Sequence, residues 1–145
     1  MLLKKAERRY NLSTEDYARL AAFRQGLREF LRFSEVEAER VGLLTQHYQA
    51  MLILRACPEG FTVTINDLAR QLLIKHNSAV GLVDRLEKEG LIKRGVSHED
   101  RRKVELRLST RGRQVLAKLA HTHRSELERI GPELKRLIAG VLKTG

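Results

Sequence analysis

Apolar residues recur at steps of three and four in several stretches of the chain, which is the spacing of amphipathic helices. The first stretch predicts one long helix over residues 14–41, with Ser13 as its N-cap. A second helix is expected from Thr45 to about Ala56, because Pro58 follows shortly after. The chain is therefore expected to begin with two helices of very different length.

Two shorter helices are expected in the middle of the chain. The first covers about residues 67–72 and has Asn66 as its expected N-cap. The second has Asn77 or Ser78 as its expected N-cap and ends at Gly90, a residue typical of the position after a helix. Only a short turn separates the two helices.

The second of these short helices has an apolar and a polar face. Val80, Val83 and Leu86 are expected to be buried. The outward face then carries Asn77, Gly81, Arg85 and Lys88. This face can serve either as a binding surface or as an ordinary solvated helix with Asp84–Lys88 and Arg85–Glu89 ion pairs.

Three short stretches have the pattern of strands. Residues 61–65 alternate apolar side chains with threonine. Residues 91–96 and 104–108 predict a β-hairpin with a long, charged loop between its strands. In the returning strand, the expected inward residues are Val104, Leu106 and Leu108, and the expected solvent-facing residues are Glu105 and Arg107.

A final long helix is expected to begin after Ser109 or Thr110 and to run to about Ile130. The pair Gly131-Pro132 is expected to break it, with Pro132 at the start of a further helix. Apolar residues continue beyond the break at steps of three and four. Such a seam indicates a helical partner.

Charge and composition narrow the class of protein. The 145 residues have a formal net charge of +10, and residues 61–115 carry 12 basic against 7 acidic side chains. This excess favours a polyanionic partner such as nucleic acid. No stretch reaches the roughly 20 apolar residues that span a membrane, and no signal peptide is evident. A cytoplasmic protein without a membrane partner is expected, with Cys57 as a small, inert thiol.

The order of elements between residues 45 and 108 predicts a winged helix-turn-helix. The expected fold is mainly α with a small β-wing (α+β), flanked by long N- and C-terminal helices. In such folds the second helix of the turn enters the major groove of double-stranded DNA. The candidate base contacts are Asn77, Ser78 and, by close approach, Gly81. The candidate phosphate contacts are Lys75, His76, Arg85 and Lys88.

The hairpin loop supplies a second candidate contact with DNA. The loop residues proposed to contact DNA are His98, Arg101, Arg102 and Lys103. Either Arg101 or Arg102 can enter the minor groove, whose negative potential attracts arginine. Asp100 is interpreted as a brace that pairs with the other arginine. The alternative is a solvated loop whose surface ion pair contributes little.

These residues resemble a known family. Asp100-Arg101-Arg102, followed by Leu106, Leu108-Ser109 and Gly112, is similar to the DxR…LxLT…G signature of the MarR family of bacterial transcription regulators. The run from Leu82 to Arg94 resembles that family's recognition helix leading into its wing, and Leu44-Thr45 with Gln49 resembles its second-helix opening. The chain departs from the pattern at Ser109, where threonine is usual, and at Gly81, where a polar residue is frequent.

The resemblance implies a homodimer that binds a pseudo-palindromic site and usually acts as a repressor, released by a small phenolic or other aromatic effector, or by oxidation or a metal. It also implies three segments: residues 1–43 as an N-terminal dimerisation arm, residues 44–112 as the DNA-binding domain, and residues 113–145 as C-terminal dimerisation helices. Effector-binding residues are not assigned.

No motif of a known enzyme class is present in the sequence, and no cofactor or metal site is predicted. His121 and His123 are two residues apart on a helix, so they point in different directions. Two alternatives to a sequence-specific regulator remain open. One is a non-specific architectural or RNA-binding winged helix without an effector, and the other is a protein-interaction module built on the long helices.

Overall fold

The computed structural model describes residues 11–97 and 100–142. The order of elements is α1 (Thr14–Arg40), α2 (Thr45–Ala56), α3 (Ile65–Leu72), α4 (His76–Lys88), β1 (Ile92–Val96), β2 (Val104–Leu108) and α5 (Thr110–Leu142). The two strands form one antiparallel hairpin. The mainly helical fold with a small β-wing is therefore confirmed.

The described chain divides into two compact units. One consists of residues 11–33 and 124–142, which belong to the outer parts of α1 and α5. The other consists of residues 34–97 and 100–123 and contains α2, α3, α4 and the hairpin. The largest fully buried side chains are Met51, Leu68, Val83 and Leu86. All four lie in the second unit, and Leu106 and Leu108 of the hairpin belong to the same core cluster, so the helix-turn-helix and its hairpin share one core.

The predicted helix ends are confirmed at three positions. Ser13 Oγ accepts a hydrogen bond from Asp16 N at 3.1 Å, and Asp16 Oδ2 accepts from Ser13 N at 2.8 Å. Ser109 Oγ accepts from Gly112 N at 2.9 Å at the start of α5. Gly90 has φ +71, a conformation that costs glycine little, and Leu91 N donates to Leu86 O at 2.9 Å beyond the end of α4.

The predicted caps of α3 and α4 are wrong. Thr64 rather than Asn66 precedes α3, and its Oγ1 accepts from Asp67 N at 3.2 Å while Asp67 Oδ2 accepts from Thr64 N at 2.9 Å. The hydrogen bond that the Asp67 carboxylate accepts from Thr64 N lowers the pKa of Asp67, and those it accepts from Thr64 Oγ1 and Arg70 lower it further. Asn77 and Ser78 both lie inside the first turn of α4, whose N-cap is Lys75 without a side-chain hydrogen bond.

The inward face of α4 also differs slightly from the prediction. Its buried residues are Ala79, Leu82, Val83 and Leu86, whereas Val80 is half-buried. Asn77, Gly81, Arg85 and Lys88 are exposed as predicted. The polar face of α4 is therefore confirmed.

The predicted strand over residues 61–65 is reduced to a single bridge, in which Leu106 N donates to Val63 O at 3.0 Å. Thr64 cannot continue the strand because its backbone and side chain both cap α3. The bridge still adds a third segment beside β2. This segment also forms one wall of a cleft at the base of the hairpin.

The predicted inward and outward faces of β2 are only partly right. Leu106 and Leu108 are buried, but Val104 is 41% exposed and faces the exposed Val96 in register. The buried face of the hairpin therefore ends at Leu106, and the tip extends beyond it. Glu105 was expected to face solvent and is instead 4% exposed, with its Oε2 accepting from Arg107 Nη2 at 3.2 Å.

The predicted break at Gly131-Pro132 is wrong, because α5 continues through both residues to Leu142. A proline inside a helix lacks the N–H that would bond four residues back. Its ring also crowds the Cβ of the preceding residue. Gly131 has no Cβ, which removes that part of the clash.

Candidate nucleic-acid interface

Helix α4 exposes one polar face to solvent. Lys75 precedes the helix, and the exposed residues that follow are His76, Asn77, Ser78, Gly81 and Arg85. A Cβ added to Gly81 would meet nothing within 4 Å. A flat polar surface at the start of a helix can approach a groove of DNA closely.

The ring of His76 is held by a residue that the sequence analysis missed. His76 Nδ1 lies 2.7 Å from Asn66 Oδ1 at the start of α3. An amide oxygen only accepts, so Nδ1 carries the proton and donates. In the neutral ring, Nε2 is then the acceptor. Asn66 and His76 are ten residues apart, and no local spacing rule pairs them.

Arg94 in β1 connects the hairpin to α4, and this role was also missed. Its Nη2 pairs with Asp84 Oδ1, and its Nε lies 3.4 Å from Glu87 Oε2. Arg85 is near Glu89, with Nε and Oε1 3.7 Å apart. The carboxylates of α4, which would repel phosphates, are thus matched by arginines of the protein itself.

The wing tip holds its shape through backbone hydrogen bonds. Asp100 Oδ1 accepts from Arg102 N at 3.0 Å, and Asp100 O accepts from Lys103 N at 2.9 Å. Within the described residues Asp100 forms no ion pair with Arg101 or Arg102, so the bracing contact is to the backbone. Arg101, Arg102 and Lys103 are exposed. His98 lies outside the described residues.

The turn between α3 and α4 is tight and strained. Leu73 adopts the left-handed conformation with φ +56, and Ile74 N donates to Ala69 O at 3.0 Å. The Leu73 side chain is 91% exposed. A β-carbon in this conformation costs about 1 kcal/mol or more. The turn fixes the start of α4 relative to α3.

A buried histidine lies at the start of α2. His47 Nδ1 accepts a hydrogen bond from Leu44 N at 3.0 Å. Burial lowers the pKa of His47, the charge of Arg85 lowers it further, and Glu89 acts in the opposite direction. The imidazole is therefore held neutral, because protonation of Nδ1 would abolish the bond to Leu44.

Because the pKa of His47 is lower in the folded state, the unfolded chain binds more protons as the pH falls. We expect the free energy of unfolding to decrease below about pH 6.5, by at most about 1.4 kcal/mol per pH unit. His47→Gln keeps an acceptor at this position and does not titrate. Urea denaturation between pH 7.5 and 5 measures the free energy of unfolding of the original protein and of His47→Gln. The same dependence of that free energy on pH in both proteins would contradict the prediction.

A second buried histidine forms a polar cluster away from α4. His123 Nδ1 lies 2.7 Å from Leu119 O and therefore donates to it, and Nε2 lies 2.8 Å from Ser34 Oγ. The ring stacks on Tyr48 with 4.2 Å between centroids. Burial raises the pKa of Tyr48. These contacts are those of a satisfied core cluster.

The described part of the chain contains neither a cluster of metal ligands nor a membrane-spanning helix. Residues 11–97 and 100–142 contain no group of three potential metal ligands among His, Cys, Asp and Glu. Cys57 is a half-buried free thiol there. No described helix is long and apolar enough to cross a membrane.

Comparison with known proteins gives a family match over the winged helix. A model described as the MarR family matches residues 41–103. Over 92 residues the chain is 32% identical to an uncharacterized HTH-type transcriptional regulator, YfiV, of Bacillus subtilis. That match covers 61% of this chain and 58% of the relative, so the chain spans little more than half the relative's length.

Solved structures share the fold over most of the chain. AbsC, a MarR family transcriptional regulator from Streptomyces coelicolor, is similar with a TM-score of 0.72 and 21% identity, covering 86% of this chain and 83% of AbsC. A MepR mutant of S. aureus bound to an oligodeoxyribonucleotide has a TM-score of 0.65 and 20% identity, covering 85% and 92%. The chain thus shares its fold with solved transcription regulators, and its residues 41–103 match the MarR family model.

Proposed function

We propose that the chain, whose residues 41–103 match the MarR family model, is a transcription regulator that binds a specific double-stranded DNA site as a homodimer and acts as a repressor. The observation that carries this proposal is the exposed polar face of α4, joined by Arg94 to the base of a wing with three exposed cations at its tip. The DNA-bound MepR mutant, which has the same fold, supports it.

The proposal divides the contacts into two groups. Asn77 and Ser78 would hydrogen-bond to base edges, and Gly81 would permit a close approach. Lys75, His76 and Arg85 would position the protein on phosphates, while Arg101 or Arg102 would enter the minor groove. Asp100 would hold the tip for this purpose through its bond to the Arg102 amide.

Replacing both Arg101 and Arg102 by alanine is expected to weaken DNA binding at least ~50-fold, because the arginine that enters the minor groove and a second exposed cation beside it are both lost. The slope of log affinity against log salt should become shallower by one to two units. Fluorescence anisotropy with a site selected from random DNA measures both. Exchanging Lys118 and Arg124 of α5 for alanine removes the same charge, so equal weakening by this control would contradict the wing assignment.

The same selected site tests specificity. A regulator should prefer its site over random DNA by ~4 kcal/mol or more. Substituting Asn77 should then change the preferred bases more than the salt slope. If random DNA competes equally well, the alternative of a non-specific architectural protein replaces this proposal.

The dimer would form through the outer parts of the long helices. Exposed apolar residues recur along them, namely Tyr17, Leu20, Leu27 and Leu31 on α1, and Leu127, Ile138 and Leu142 on α5. An unpartnered apolar face of this kind favours association. Residues 1–43 and 113–145 are accordingly proposed as the dimerisation arms. Sedimentation equilibrium distinguishes a dimer from a monomer.

We further propose that the protein is cytoplasmic and that a small aromatic effector lowers its affinity for DNA. The support is the resemblance to the family, and no described residue is assigned to this effector. Repeating the DNA selection with a panel of aromatic acids tests it. If no compound changes the affinity, regulation would follow another route.

A further inference from the structure

We propose that a cleft at the base of the wing binds an organic acid, a compound with one carboxylate and an apolar body. The cleft has a volume of about 790 Å³ and lies within the unit of residues 34–123. This volume falls in the usual range for small-molecule sites. It is lined by the end of α2, the segment 57–63, both strands of the hairpin and the start of α5.

The outer face of the hairpin carries two cations opposite each other. Lys93 and Arg107 are partners in the register, so their side chains leave the sheet on the same face. Two like charges directly opposite each other destabilise a sheet unless an anion lies between them. Glu105 on the same strand contacts Arg107 and offsets one charge. Lys93 has no such contact among the described residues.

Two further cations reach this cleft from other elements. Arg55 comes from the last turn of α2, and Arg113 comes from the first turn of α5. Both are exposed. Among the described residues, Glu105 is the only acid in the lining. With Arg94, five arginine and lysine residues from four elements thus line the cleft beside the carboxylate of Glu105, and the excess positive charge favours an anionic ligand.

The guanidinium of Arg107 is suited to a carboxylate. Its side chain is 69% exposed although Nη2 already donates to Glu105 at 3.2 Å. A guanidinium has five N–H donors in a planar fork, so several remain for a second carboxylate. The contact with Glu105 also restricts the side chain before any ligand arrives.

The apolar part of the lining indicates the body of the ligand. Phe61 is 73% exposed at this cleft, which is unusual for a large aromatic side chain. Leu54 and Val63 line the same cleft and are buried. An inorganic anion would satisfy the cations but would leave Phe61 in water. A ligand that has both a carboxylate and an apolar body satisfies both.

Among the described residues that line the cleft, Arg94 is the only one that the proposed DNA surface also uses. The side chain of Arg94 bonds to Asp84 and Glu87 of α4, so that face of the hairpin is turned toward α4. Lys93 and Arg107 belong to the opposite face because successive strand residues alternate. The ligand site can therefore be tested in the absence of DNA, and its failure would leave the proposed DNA binding untouched.

The experiment is isothermal titration of the full chain with 2-naphthoate and with decanoate, together with the uncharged analogue 2-naphthalenemethanol and inorganic phosphate. At least one carboxylate is expected to bind at least ~10-fold more tightly than both the alcohol and phosphate. Equal binding of the alcohol would show an unspecific apolar surface, and equal binding of phosphate a bare anion site. Either result, or no binding of either carboxylate, would overturn the proposal.

Matched variants locate the bound carboxylate. Lys93→Glu and Phe61→Ala should each weaken the affinity for the carboxylate at least ~5-fold. Arg107→Lys should also weaken this affinity, although it retains the charge beside Glu105. The controls at exposed positions outside the cleft are Lys118→Glu, which makes the same change of charge, and Leu73→Ala, which also truncates a large apolar side chain to alanine. If the controls weaken binding as much as the cleft variants, the site lies elsewhere.

Discussion

Replacing Gly112 with alanine is expected to destabilise the unit of residues 34–123 by about 3 kcal/mol or more. The added Cβ would overlap Leu91 O and stand 2.9 Å from the Leu91 carbonyl carbon. Neither backbone can withdraw cheaply, because Ser109 N donates to the same Leu91 oxygen at 2.9 Å and Ser109 Oγ donates to Gly90 O at 2.6 Å. A melting temperature lower by ~10 °C or more should result.

Gly81→Ala is the matched control for this prediction. Gly81 is also a helical glycine, but its added Cβ would meet nothing within 4 Å. Alanine at an open helical position should stabilise α4 by up to about 1 kcal/mol. Thermal unfolding of both variants, followed by circular dichroism, gives the comparison. Similar melting temperatures for the two variants would show that the contact with Leu91 does not constrain the fold.

Local signals in the sequence were sufficient for the helices and for several of their ends. Ser13 and Ser109 cap helices because a hydroxyl and a backbone amide three residues later meet by local geometry alone. The polar face of α4 followed from its apolar spacing. The resemblance to the family rested on Gly112, among other residues, and the structure supplies a physical reason for glycine there.

Features set by contacts between distant residues could not be read from spacing. Asn66 resembles a cap, yet Thr64 has the better geometry and Asn66 bonds to His76 instead. The alternation of β2 predicts Glu105 in solvent, but the burial of its carboxylate depends on the surroundings of the folded hairpin. Pro132 signals a helix end, and α5 nevertheless continues through it.

The DNA contacts proposed from the sequence are all positive or polar side chains that point outward, and these are easy to recognise as a pattern. The residue that pairs with the neighbouring carboxylates of α4 is harder to recognise from the sequence. Arg94 lies in a strand, and its acidic partners Asp84 and Glu87 lie on the preceding helix. Only the docking of the hairpin against α4 brings the three together.

Arg94→Gln is expected to weaken DNA binding at least ~10-fold, or about 1.4 kcal/mol. The substitution leaves Asp84 and Glu87 without their shared cation, so two carboxylates of α4 would repel the phosphates beside it. It also removes the link that fixes the wing to α4. Anisotropy with the selected site measures the affinity, and circular dichroism checks that the variant remains folded.

A combined variant separates this electrostatic role from direct contact with DNA. Adding Asp84→Asn and Glu87→Gln to Arg94→Gln removes the exposed carboxylates and should restore affinity to within ~3-fold of the original protein. Asp84→Asn with Glu87→Gln alone should bind at least as well as the original, because Arg94 then becomes available to phosphates. If the triple variant binds as weakly as Arg94→Gln, Arg94 contacts DNA itself or acts only by fixing the wing, and its neutralising role is excluded.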